Sequence, residues 1–208
     1  MKYDLIHTTK TGGTAFFACL LYNYSEYFTI QEKDIKPKKE HSFLCGDSEN
    51  PISIFRDPID RFNSIFSYWK YGSSKWPRSD DFLKKHQELT VNDFVSLIRD
   101  NRTDILDTYM TWDVHYSTQS RWLTGDHKNI IIINYQNDLQ SSLVSLLDFL
   151  QIPDKGIQLK KINASKKRQN YFEDLNQESL DWFYEYFKED FEIQQKILSK
   201  PEIFKKVI

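Results

Sequence analysis

The sequence predicts an α/β fold, a mostly parallel β-sheet flanked by helices, and three observations carry that prediction. A short run of strand formers, Tyr3 to His7, passes through a Thr/Lys/Gly loop into a helical pattern. A second run, Ile52 to Phe55, passes through Arg56-Asp57-Pro58 into another. A third, Ile130 to Ile133, is an unbroken isoleucine stretch of the kind that suits a strand buried on both faces of a parallel sheet.

Each element has a local reason. After the first strand, Gly12-Gly13 punctuates the chain and Ala15 to Tyr22 reads as a helix. A further strand is expected at Ser42 to Cys45. Following Ile52 to Phe55, Asp57 suits an N-cap and Pro58 a first helical position, where its missing N–H would have no partner anyway; the helical pattern then runs to about Tyr71. Gly72 to Asp81 reads as a loop, broken by Trp76-Pro77, and helical spacing returns at Val91 to Arg99. Behind the isoleucine strand, Asp138 to Leu150 is helical and ends before Pro153. Lys160 to Asn170 is polar and basic, and Glu178 to Leu198 places Leu180, Phe183, Tyr184, Phe187 and Phe191 on one broad helical face. Neither a repeat nor a low-complexity linker divides the chain, so residues 1–208 are expected to form a single domain.

Bulk composition excludes several function classes. Lys+Arg total 28 against 30 Asp+Glu, for a formal net charge of -2, so no global charge favours nucleic acid or an anionic surface. An anion site here has to be local. No apolar run reaches the roughly 18 residues of a membrane span, and no signal-peptide pattern opens the sequence. A cytoplasmic location is expected, with a trimmed membrane anchor as the alternative. Cys19 and Cys45 lack neighbours at metal-ligand spacing and read as free, buried thiols; no metal site is expected.

The loop Lys10-Thr11-Gly12-Gly13-Thr14 carries the first chemistry. Small residues between a strand and a helix expose several backbone N–H groups, and the helix N-terminus adds partial positive charge, so an anion binds there. Lys10 supplies a mobile cation, and Thr11 and Thr14 supply hydroxyls. The ATP-type loop has its lysine after the last glycine, whereas Lys10 precedes both. The second site lies at the other strand-to-helix junction. Arg56 emerges at the carboxyl end of a strand, where open α/β sheets bind ligands, and Ser64 follows about two turns into the helix. A guanidinium fork and a hydroxyl suit a second phosphate. A kinase would hold Mg²⁺ with a carboxylate after such a strand, but Arg56 follows Ile54-Phe55 and Asn134 ends the isoleucine run.

Together these stretches resemble the carbohydrate-type sulfotransferases that use 3′-phosphoadenosine 5′-phosphosulfate (PAPS), the heparan- and chondroitin-like sulfotransferase family 2. Ile6 to Thr14 resembles the family's 5′-phosphosulfate loop, with Thr9 where a proline is common, and Phe55 to Ser64 resembles its 3′-phosphate motif. Gln119 to Leu123, Ile130 to Leu139 and Asn163 to Arg168 are similar as well. The resemblance implies a P-loop-NTPase-like sulfotransferase fold and metal-free transfer of a sulfuryl group from PAPS to a hydroxyl, leaving 3′-phosphoadenosine 5′-phosphate (PAP). It implies that Lys10, Thr11, Gly12, Gly13 and Thr14 hold the 5′-phosphosulfate. Arg56 and Ser64 would hold the 3′-phosphate, with Ser165, Lys166 and Arg168 in a loop over the nucleotide. Lys10 would also act catalytically, at the leaving oxygen.

The attacking hydroxyl needs a base. His41 stands where related enzymes place one, with Glu40 and His115 as rivals. Trp69 and Trp76, among other aromatic and basic residues, suit stacking on a saccharide acceptor; a smaller hydroxyl compound is the other acceptor class. Two alternatives stand beside this reading: a small-molecule or nucleotide kinase on the same scaffold, and a nucleotide-binding module without activity.

Overall fold

The computed structural model describes residues 2–30, 50–73, 77–102, 115–123, 129–135, 138–159, 169–198 and 203–207. The chain forms two compact units. The first gathers Met1–Asp57, Gln119–Ile162 and Glu192–Ile208; the second gathers Pro58–Thr118 and Asn163–Phe191.

The first unit is built on a five-stranded sheet of β1 (Tyr3–Ile6), β2 (Phe28–Thr29), β3 (Pro51–Arg56), β4 (Asn129–Tyr135) and β5 (Ile203–Val207), in the order β2-β1-β3-β4-β5. The first four strands run parallel and β5 pairs antiparallel to β4, so the expected mostly parallel α/β sheet is what forms. Every residue of β3 is buried, as are Ile130 to Ile133 of β4, which is why neither strand alternates polar with apolar. Helix α1 (Gly13–Asn23) buries Phe16, Phe17 and Leu20 in the same core as Leu5, Ile52, Ile54 and Ile133. Cys19 lies in this core as a free thiol, and burial pushes its pKa up; Cys45 and the expected strand at Ser42 to Cys45 lie outside the described residues.

Two further helices belong to this unit, α5 (Ser120–Leu123) and α6 (Leu139–Phe149); the three that precede them in the chain, α2 (Pro58–Tyr71), α3 (Asp80–His86) and α4 (Val91–Arg99), belong to the second. The Asp138 carboxylate caps α6 by accepting from the Ser141 N–H at 3.2 Å. Bonds from the Gln140 and Ser141 amides hold that carboxyl below its ordinary pKa. The helix closes with Gln151 in the left-handed region at φ 57°. There Gln151 N–H reaches the Asp148 carbonyl and Ile152 N–H the Leu147 carbonyl, a Schellman ending made without glycine.

The second unit is helical: α2 (Pro58–Tyr71), α3 (Asp80–His86), α4 (Val91–Arg99), a 3₁₀ turn at Tyr171–Asp174, α7 (Gln177–Tyr186) and the first residues of α8 (Lys188–Leu198). The aromatic richness of the sequence is largely spent here on packing. Phe62 meets Phe183 at 4.9 Å, Phe66 meets Tyr171 at 4.8 Å, and Trp69 meets Phe94 at 4.9 Å. Arg78 ties off α2 by donating to the Trp69 and Tyr68 carbonyls at 2.8 and 3.1 Å, a cation at the negative end of a helix. The single helix expected over Glu178 to Leu198 is two, divided at Phe187, and Tyr184 lies exposed off the buried face. Helix α3, capped by Ser79, lies where no helix was expected.

His86, at the end of α3, is buried between Phe82 and Trp69. Burial, with the charge of Lys85 added, holds its pKa below the ordinary value. Between that depressed pKa and the unfolded value of about 6.5, the unfolded chain binds more protons than the folded one. Stability is therefore full above about pH 6.5 and declines as the pH falls through this window. Melting curves recorded from neutral to mildly acidic pH are expected to show a steeper loss for the wild type than for His86→Phe; parallel losses would exclude His86 as the source.

Candidate active site

Within the first unit, β1 runs out at Ile6 and the chain turns through Thr8, Thr9 and Lys10 before α1 begins. The turn is fixed from inside. Thr8 Oγ1 and Ser53 Oγ lie 2.9 Å apart and Ser53 Oγ is 3.3 Å from the Ile6 carbonyl, so a proton chain from Thr8 through Ser53 to that carbonyl joins the loop to β3. Thr11 Oγ1 donates to the Thr8 carbonyl at 2.8 Å. The Thr11 hydroxyl, expected as an outward donor, is thus buried and shapes the loop, whereas Thr14 is exposed.

Two residues of the loop are left-handed, Lys10 at φ 62° and Gly12 at φ 83°. Left-handed residues interleaved with ordinary ones turn successive N–H groups toward one side, the concavity that binds anions. Gly12 is the N-cap of α1 and no side chain caps that helix, so its first-turn N–H groups are not bonded by a capping side chain. The glycines also fit the packing. A Cβ on Gly12 would stand 2.6 Å from Leu139 Cδ1, and one on Gly13 would stand 2.6 Å from His7 Cδ2. His7 meets Phe17 edge to face at 5.8 Å, as a packing residue of the strand would. Gly12→Ala combines a left-handed alanine with the Leu139 contact, and is expected to lower stability by about 1–2 kcal/mol. The double variant with Leu139→Ala should be less destabilised than the sum of the two single changes, a coupling that thermal melts of the four proteins would measure.

Arg56, the last residue of β3, is 8% exposed, and its guanidinium meets this loop: Nη1 donates to the Lys10 carbonyl at 2.8 Å. The guanidinium also lies over the Tyr135 ring at 5.6 Å. Its backbone is held by Gln119, whose Oε1 accepts from the Arg56 N–H at 2.9 Å and whose Nε2 donates to the Arg56 carbonyl at 2.7 Å. The two strand-to-helix junctions picked out in the sequence are therefore in hydrogen-bond contact. Gln119 was legible only as part of a conspicuous stretch, since its partner stands 63 residues away.

The other expected site residues are placed as follows. In the second unit, Ser64 is half-buried on α2. His115 is half-buried, stacked on Tyr68 at 6.3 Å and 11°. Its carbonyl accepts from Arg61 Nη2 at 3.4 Å, while Arg61 Nη1 donates to the Ser117 carbonyl at 2.9 Å, so a buried arginine that sequence reasoning passed over pins this segment to α2. Trp69 corrects an expectation. It is 1% exposed, enclosed by Phe66, Phe82 and Phe94, and its ring is a core element with no face left for an acceptor. The spacing Phe62, Ile65, Phe66, Trp69 was the signal for this, being one stripe of a helix. Glu40, His41, Trp76, Ser165, Lys166 and Arg168 lie outside the described residues. Among the described residues, no group of three or more His, Cys, Asp or Glu side chains could hold a metal ion. Also among them, no helix is long and apolar enough to cross a membrane.

A parallel sheet, a left-handed loop opening onto an uncapped helix, and a strand-end arginine bonded to that loop define a class: α/β proteins that grip anionic groups at a strand-loop-helix cradle. The family model described as Sulfotransferase family matches residues 5–194, taking in both junctions and Gln119, and the chain belongs to that family. No curated protein and no solved structure matches it. Of the chemistries compatible with the cradle, sulfuryl transfer rather than kinase chemistry is the one this family carries.

Proposed function

We propose that the chain transfers the sulfuryl group of PAPS to a hydroxyl of a saccharide, acting as one sulfotransferase domain over its length. The observation that carries this reading is the bond between Arg56 and the Lys10 carbonyl, which joins the two junctions at which a doubly phosphorylated nucleotide would be gripped. In this reading the backbone N–H groups of Lys10 to Thr14 and the Lys10 ammonium receive the 5′-phosphosulfate. Arg56 and Ser64 receive the 3′-phosphate, and Ser165, Lys166 and Arg168 add cationic and hydroxyl donors around the nucleotide.

The acceptor oxygen attacks sulfur in line, a new S–O bond forms, and the bond from sulfur to the 5′-phosphate oxygen breaks. The acceptor proton passes to a base, His41 in this assignment, with Glu40 and His115 as rivals. Charge builds on the departing phosphate oxygen, and the ammonium of Lys10 with the loop amides stabilises it there. With Trp69 enclosed in a core, Trp76 is the remaining tryptophan proposed for stacking on the acceptor.

Calorimetric binding tests the nucleotide assignment. PAP is expected to bind more tightly than ADP or adenosine 5′-phosphate, because only PAP carries the 3′-phosphate. Equal affinity for all three would defeat it, and PAP binding without any sulfuryl transfer to saccharides or simpler alcohols would leave a binding module instead of an enzyme.

A further inference from the structure

We propose that Gln119 is the positioning residue for Arg56, a buried side chain that stands in for a neighbouring strand and fixes the arginine against the phosphate it would read; this rests on the nucleotide assignment above. Arg56 occupies an awkward place in the sheet. The pairing of β1 with β3 ends at Ile6 opposite Ser53, so the last residues of β3 run on after β1 has turned away into the loop. On the other side, pairing with β4 continues as far as Tyr135 opposite Arg56. A strand residue presents its N–H and C=O to the same side, and in a buried position both need partners.

Gln119 supplies both at once. Its primary amide offers one acceptor and one donor side by side on one edge, at 2.9 and 2.7 Å from the Arg56 N–H and carbonyl. The amide is itself immobilised. Gln119 is 0% exposed, its carbonyl accepts from the Trp122 N–H at 3.0 Å, and Ser120, Trp122 and Leu123 beside it are buried. The backbone of Arg56 is thus held by Gln119, and its side chain by the Lys10 carbonyl and the Tyr135 ring. Two anchors at one residue leave the guanidinium little freedom to lose on binding, which is how a preorganised site gains affinity.

The test reads the ratio of PAP affinity to adenosine 5′-phosphate affinity, which isolates the 3′-phosphate. Gln119→Met, close in volume and unable to make either bond, is expected to lower that ratio about tenfold when Arg56 is present and to leave it unchanged in an Arg56→Ala background. A retained ratio in Gln119→Met overturns the proposal, as does an equal loss with and without Arg56, which would mean general damage. A retained ratio in Arg56→Ala alone would sink the 3′-phosphate assignment together with the inference, whereas loss in Arg56→Ala but not in Gln119→Met would sink the inference only. Gln119→Glu guards against a Met variant that does not fold. When ionised, the introduced carboxylate can only accept and repels the Arg56 carbonyl; when protonated, it regains one donor and one acceptor. Its ratio, taken relative to the wild type at each pH, is expected to recover as the pH falls, and a ratio flat with pH would overturn the proposal.

Discussion

Lys10→Ala lowers the rate of sulfuryl transfer by about 10²–10³-fold, the loss typical of removing one preorganised stabiliser of developing charge. The ammonium is asked to act on the bond-breaking oxygen more than on the ground-state nucleotide, so kcat should fall further than PAP affinity. Loss of PAP affinity with kcat unchanged would make Lys10 a simple binding residue. A companion variant separates chemistry from conformation. Lys10 sits at φ 62°, where any residue with a Cβ is strained by roughly 1–2 kcal/mol, and glycine is not. Lys10→Gly should therefore be as inactive as Lys10→Ala yet more stable than it by about 1 kcal/mol, after allowing for the entropy glycine adds to the unfolded chain. A lower melting temperature for Lys10→Gly than for Lys10→Ala would contradict the strain. The lysine is then a residue placed for charge in a position that backbone sterics would assign to glycine, a stability sacrifice of the kind found at functional sites.

His41→Ala lowers transfer by about 10²-fold or more while PAP binding persists, if His41 takes the acceptor proton. A histidine base is active when neutral, so the wild-type kcat/KM should rise with pH as the imidazole loses its proton, and the residual activity of the variant should lack that limb. Unchanged transfer would remove His41 from the mechanism and turn attention to Glu40→Gln and His115→Ala. The surroundings of His115 bear on that comparison. Its ring is stacked on Tyr68 and its carbonyl is held by Arg61, so replacing it disturbs a packed segment of the second unit as well as removing a titratable group. Melting curves for His115→Ala are needed beside its rates for that reason.

The elements that could be read from the sequence are those whose causes are local. Gly12-Gly13, Pro58 and Asp138 punctuate the chain where α1, α2 and α6 begin, and the isoleucine run announces β4. What escaped depends on partners distant in sequence. Strand β2 is only Phe28–Thr29 and exists through its pairing with Tyr3 and Asp4. Phe187 divides the last long helical pattern although its side chain continues the apolar stripe, because periodicity reports burial and not whether the helix axis is continuous. The same holds at the site. Lys10, Arg56 and the glycines were visible by residue type and spacing, but the inward turn of the Thr11 hydroxyl and the grip of Gln119 on Arg56 are properties of three-dimensional pairing.

The antiparallel strand β5 has a consequence for how this chain reaches its fold. Strand β4 presents Ile130 to Ile133, a β-branched, uncharged segment with the composition of an aggregation nucleus. One edge of it is covered by β3, but the other is covered by β5, which the chain supplies only after the whole of residues 138–198. During synthesis or refolding the isoleucine edge therefore stands open until β5, the last of the five strands along the chain, pairs with it.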